Sequence, residues 1–253
     1  MVDGNTQNNN ATEEKKEVDK KEEVQKEKKE EKKVVRRRAV SKKATTKEEI
    51  AIEDIMLFGK YPIKDVSIND PSIFKYVNIN GRKYPNTFGR RKYAYYYNAK
   101  VSVVERLINK LMRGGTGEKV SGKVIRTEGR LQGKKLKVTK IVEKAFDKIS
   151  KDTNKNPLQV LIDAIENAAP IEDVTRVRYG GIIYNVEVGV SAQRRVDVAL
   201  RNIALAALIN SFKSKKRLYE ALAEEIENAS NNSPNSFAIK RKVELERIAR
   251  SAR

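Results

Sequence analysis

Gly117 and, further on, Gly122–Lys123 stand close to where a phosphate-cradling loop would carry its first glycine and its Gly-Lys pair. In that motif, backbone N–H groups and the lysine hold nucleotide phosphates, and the next Ser or Thr carries magnesium. Here the next residue is Val124, and the stretch follows a helical pattern instead of a strand. A flexible basic loop is the better reading. Neighbouring carboxylates occur at Glu172–Asp173 and Glu224–Glu225. A metal or acid–base site needs more convergent ligands than these, so solvated helix ends are expected there. The 253 residues contain no Cys, His or Trp. Thiolate and imidazole ligands for soft or borderline metals are therefore missing, and so is the usual general base near neutral pH. Carboxylates with magnesium or a Ser–Lys pair would remain, but the expectation is no enzyme, no catalytic or metal-binding residue and no cofactor.

Chemistry directed at phosphate is better represented. Lys and Arg number 54 against 34 Asp and Glu, for a formal net charge of +20. Such a charge draws in a polyanion. It is unevenly spread. Residues 1–49 hold 15 basic and 12 acidic side chains, residues 50–80 three and four, and residues 141–253 19 and 15. Residues 81–140 hold 17 basic and only three acidic side chains, a net of +14. The one-sign block marks Arg82, Lys83, Arg90, Arg91, Lys92, Lys100, Arg113, Lys123, Arg126, Arg130, Lys134, Lys135 and Lys137 as candidate RNA-contacting cations. Tyr93, Tyr95, Tyr96 and Tyr97 lie among them. Rings there suit stacking on unpaired bases, with at least one tyrosine packed inward as an anchor.

The elements that must position these groups are mainly helical. Residues 1–49 run Asn-rich and then Lys/Glu-rich, with almost nothing to bury, and read as a disordered tail. Residues 50–253 read as one helical domain. Apolar side chains recur at helical spacing in Ser102–Met112 and in Lys137–Asp152. Asn156–Pro157 opens a helix through Leu158, Leu161, Ile162 and Ile165, and Pro170 stops it. Val196, Ala199, Leu200, Ile203 and Ala207 mark another. Ser214 is expected to cap the next, with Leu218, Leu222 and Ile226 inward. Ser236 begins the last, with Ile239, Val243 and Ala249 inward. Val174–Tyr179 and Ile182–Val190 flank Gly180–Gly181, a β-hairpin at about residues 174–190 with no other strand to pair with. The fold class is mainly α: a bundle of about six helices with one protruding hairpin, plus the charged tail. Arg176 and Arg178 lie near the hairpin tip, flanked by Tyr179 and Tyr184. No run of about 18 apolar residues exists to span a bilayer, nor does the N-terminus carry an apolar signal-peptide core, so no membrane partner is expected.

Several of these stretches together resemble the universal small-subunit ribosomal protein seven family in its archaeal and eukaryotic form. They are Leu57-Phe58-Gly59-Lys60, Val104-Glu105-Arg106-Leu107-Ile108-Asn109-Lys110-Leu111-Met112, Gly133-Lys134-Lys135 and Asn156-Pro157-Leu158-Gln159-Val160-Leu161. The run from Gly180-Gly181 through Tyr184 and Val186 to Arg194-Arg195, and the closing Ala238–Ala249 stretch, continue in the same order. The resemblance implies a helical bundle with a long hairpin and no cofactor. It implies a structural role: binding the 3′ major domain of small-subunit rRNA and helping to assemble the subunit head. The partners it implies are rRNA, exit-site tRNA and mRNA, and neighbouring head and platform proteins, with the chain cytoplasmic and in the ribosome. Residues Arg82–Lys140, with Arg194 and Arg195, would supply much of the rRNA contact. Arg176, Arg178, Tyr179, Gly180, Gly181 and Tyr184 would form the arm near exit-site tRNA and mRNA. The connection from Met112 to Gly133 is longer than the family's usual loop, so contacts there do not transfer. The alternative function is a free-standing architectural protein binding nucleic acid by charge alone.

Overall fold

The helices begin and end where backbone chemistry requires. The computed structural model describes residues 56–64, 66–79, 83–88, 97–113 and 130–252, with the backbone alone at 119–120 and 123–124. The tail at 1–49 lies outside the described residues, as do Tyr93, Tyr95 and Tyr96. Helix α1 (Val103–Met112) buries Val103, Val104, Leu107, Ile108 and Leu111 along one stripe. Helix α2 (Lys135–Thr153) buries Val138, Val142, Ala145, Phe146 and Ile149, and closes on Asn154 in the left-handed region at φ 53°. Asn156 then caps α3 (Pro157–Ala168): its Oδ1 accepts from the Leu158 amide at 3.1 Å, with proline at the first turn. Ala169 is extended ahead of Pro170, as the proline ring demands.

Helices α4 (Ala192–Ser211), α5 (Leu218–Ser230) and α6 (Phe237–Ser251) complete the bundle. Central α5 packs against α2, α3 and α4, and α4 also touches α1 and α6. Ala221, Ala223 and Ala229 let neighbouring backbones come close to α5. Ser236 caps α6, its hydroxyl accepting from Ile239 N at 3.3 Å.

Three local expectations are corrected. Ser214 does not cap α5. Its hydroxyl accepts from the Lys216 amide at 3.2 Å in a connecting turn, and the helix starts after Arg217, whose N–H donates to Glu220. Val243 is 57% exposed, because only Ala238, Ile239 and Ala249 of α6 reach the interior. The paired carboxylates are not solvated helix ends. Glu172 and Asp173 lie in a strand. Glu225 is buried mid-helix, where its Oε1 accepts from Ser236 Oγ at 2.7 Å and Ala238 N at 3.0 Å. Burial pushes its carboxyl above the usual range, against those hydrogen bonds.

The hairpin is formed by β5 (Glu172–Tyr179) and β6 (Ile182–Gly189), preceded in the chain by two minor pairs. These pairs are β1 (Met56–Leu57) with β2 (Tyr61–Pro62), and β3 (Lys119–Val120) with β4 (Lys123–Val124). Gly180 and Gly181 turn at φ 57° and 84°, the double positive-φ geometry of a tight two-residue hairpin. The base of the arm contacts α6, and from Thr175 onward β5 is exposed throughout. Among the described residues, no further strand joins its two-stranded sheet.

The β1–β2 turn is a clasp. Leu57 and Phe58 are buried, and Phe58, Tyr61 and Phe146 meet edge to face at 6.1–6.3 Å. Lys60 Nζ lies 3.0 Å from Asp147 Oδ1, and Tyr61 donates to the same oxygen at 2.7 Å. From there the segment at 66–79 runs across the helices without regular structure beyond one short turn. Gln159 accepts from Ser67 N at 2.9 Å and donates to Ser67 O at 3.1 Å. Glu166 accepts from Asn69 N at 2.7 Å, and Asp70 pairs with Arg195 at 3.0 Å.

Candidate nucleic-acid interface

The cations expected to meet RNA fall into groups that their surroundings separate. Lys83, Lys100, Arg113, Arg130, Lys134 and Lys137 are exposed, whereas Lys135 is half-buried. Lys135 Nζ lies 2.5 Å from Glu105 Oε1 and donates to Asn86 Oδ1 at 2.9 Å. Glu105 is 2% exposed and also accepts from Thr87 N at 3.0 Å and Thr87 Oγ1 at 2.9 Å. Burial opposes its ionisation, but Lys135 and Thr87 outweigh this and hold the carboxyl below its usual range. The Lys135–Glu105 pair thus fixes residues 83–88 to α1 and the start of α2. Lys83 is tied to the β1–β2 turn through its carbonyl, which accepts from Phe58 N at 2.8 Å. Lys134 and Lys137 are exposed at the start of α2, and Lys83 is exposed with the end of its side chain lying over Gly59.

Arg195 is similarly committed within the fold. Its side chain is 11% exposed and bonds Asp70 and the Ser72 hydroxyl. Arg194 keeps 65% of its side chain exposed while its Nη2 bonds Asp173 at 2.9 Å. Arg106 is buried, donating to Tyr76 O at 2.8 Å and facing Asp197 at 3.2 Å. Lys242 donates to Asn167 O at 2.9 Å near the end of α3, where an ammonium complements the helix dipole.

On the arm, register divides the expected residues. Arg176 pairs Asn185 and Arg178 pairs Ile183, so both arginines share one face. Val177 pairs Tyr184 and Tyr179 pairs Ile182, on the opposite face. The exposed arginines and tyrosines therefore address different surroundings.

Arg82, Arg90, Arg91, Lys92, Arg126 and the side chain of Lys123 lie outside the described residues. The backbone of Lys123–Val124 forms a strand, where a phosphate-cradling loop would start a helix. Two cationic features escaped the sequence reading. Lys213, Lys215, Lys216 and Arg217 form an exposed run between α4 and α5, legible as a charge run but diluted by the balance of the C-terminal half. Lys75 lies in a segment whose net charge is slightly negative.

The family model for ribosomal protein S7p/S5e matches residues 79–253. The chain belongs to the S7p/S5e family. Among curated relatives, small ribosomal subunit protein uS7 of Thermoplasma volcanium is 49% identical over 200 residues, covering 78% of this chain and all of that protein. The uS7 of Archaeoglobus fulgidus is 44% identical over 201 residues, covering 79% of this chain and 96% of that one. In this S7p/S5e chain, the family-like stretch at Val104–Met112 contains two buried charged residues, Glu105 and Arg106. That stretch serves the scaffold as much as any contact with a partner.

Proposed function

We propose that the chain is a structural constituent of the small ribosomal subunit. It binds the 3′ major domain of the rRNA, helps to assemble the head, and holds its hairpin near exit-site tRNA and mRNA. Membership of S7p/S5e supports the ribosomal role. The observation that carries RNA contact is that Lys83, Lys100, Arg113, Lys134 and Lys137 are exposed, and none is paired with a described carboxylate. Glu105, one of the three acids in residues 81–140, is buried on Lys135. Lysines aimed at solvent from braced elements neutralise phosphates and release counterions. Nothing in this role calls for a catalytic step.

Co-sedimentation with small subunits after a high-salt wash tests it. Retention is expected, whereas release with the wash would favour a free-standing architectural binder. The arm supplies a second test. Excising Arg176–Tyr179 and Ile182–Asn185 joins Thr175 to Gly180 and Gly181 to Val186. Because Thr175 already pairs Val186, the shortened arm keeps its face alternation and its turn. Affinity for isolated rRNA should stay largely intact, and head assembly should proceed. An affinity loss equal to that from Lys134→Glu with Lys137→Glu would refute separate roles for arm and body.

A further inference from the structure

The segment at 66–79 contains an aromatic ring that its own fold does not use. Ile73 and Val77 are buried, but Phe74 between them is 61% exposed. It borders an open cleft of about 570 Å³ shared with Ile68, Lys75, Ile79, Ala99 and Lys100. That volume lies within the roughly 300–1,000 Å³ typical of small-ligand sites. Both walls are fixed from behind. The Tyr76 carbonyl accepts from buried Arg106 at 2.8 Å, the Asn78 carbonyl from Val103 N at 3.0 Å, and the Lys100 carbonyl from Asn78 Nδ2 at 2.6 Å. Lys75 and Lys100 are exposed, and neither is paired with a described carboxylate. Asp70, the acid nearest in the segment, is occupied by Arg195.

We propose that this cleft takes one unpaired RNA base, stacked on Phe74, with the adjoining phosphates held by Lys75 and Lys100. The inference rests on the RNA-binding reading and gives it a base-stacking subsite whose ring, Phe74, precedes the residues matched by the family model. An exposed ring on a braced turn offers a π-face with little ordering cost, and flanking ammonium groups suit a polyanion rather than a basic or neutral apolar partner. Duplex RNA, its bases already stacked, would not enter.

Fluorescence anisotropy with the full chain, a short oligouridylate and a short RNA duplex tests this. Phe74→Ala and Phe74→Leu should each weaken oligouridylate binding by roughly 5- to 150-fold, the loss of one stacked base. Phe74→Tyr should retain affinity, and duplex binding should stay unchanged in all three. If Phe74→Leu binds like the unaltered chain, the contact is apolar and not stacking, and the proposal fails. Indifference to Phe74→Ala also overturns it, while leaving RNA binding intact. If the unaltered chain binds neither probe, the RNA-binding reading falls, and this one with it.

Discussion

Lys135→Glu lowers the free energy of unfolding by about 3–5 kcal/mol, whereas Lys134→Glu changes it by less than about 0.5 kcal/mol. The two lysines are adjacent and chemically identical, but only one has a buried partner. Reversing Lys135 sets a second carboxylate against Glu105, which is 2% exposed and already fixed by Thr87. Neither charge could then be compensated without opening the contact between residues 83–88 and α1. A loss of this size is a large share of the roughly 5–15 kcal/mol that holds a domain folded. Urea denaturation of the two variants at neutral pH checks it, and equal midpoints would overturn it. The acid limb has the sign of a depressed carboxyl. Stability from the pair is fully present above the usual carboxylate range and is lost as pH falls through the folded-state value. RNA binding by Lys135→Glu therefore reports folding, and a charge-reversal test of the interface belongs on Lys134 and Lys137.

On the proposed reading, binding to small-subunit rRNA is expected to weaken by about a thousandfold between roughly 50 and 200 mM salt. Lys83, Lys100, Arg113, Lys134, Lys137 and Lys140 are all exposed. If each neutralises one phosphate, the slope of log affinity against log salt is roughly −4 to −5, at roughly 0.7–0.9 per contact. Lys134→Gln should shallow that slope by roughly 0.7–0.9 and leave the unfolding midpoint unchanged. Filter binding across a salt series measures both quantities. A flat series would remove phosphate contact as the source of affinity, and an unchanged slope would take Lys134 out of the interface.

The helices were legible because burial leaves a periodic trace. Val138, Val142, Ala145, Phe146 and Ile149 are fully buried. Caps were legible where one residue decides them, as at Asn156 and Ser236. Ser214 misled because a serine before an apolar run also suits a connecting turn, and only packing sets which residue starts the helix. Charge located the basic block but not the division within it. What separates Lys135 from Lys134 is Glu105, 30 residues away, and what removes Arg195 from the surface is Asp70, 125 residues away. Composition carries no such pairings. Glu225 shows the same limit, since its partner Ser236 belongs to the following helix. The cleft beside Phe74 was invisible for a related reason. Its walls come from segments on either side of the tyrosine-rich stretch, and one of its two cations, Lys75, sits in a region with no charge excess.

The polar clamps on the segment at 66–79 have a kinetic consequence. They join residues 92, 97 and 125 positions apart, so each bond needs a large loop closed before it forms. Contacts between successive helices carry no such delay and can collect first. The clamps then reward only a bundle already in place. Bonds made after the folding barrier do little to hasten its crossing; they slow the return. The segment at 66–79 is thus expected to act as a latch on the formed bundle, slowing its unfolding.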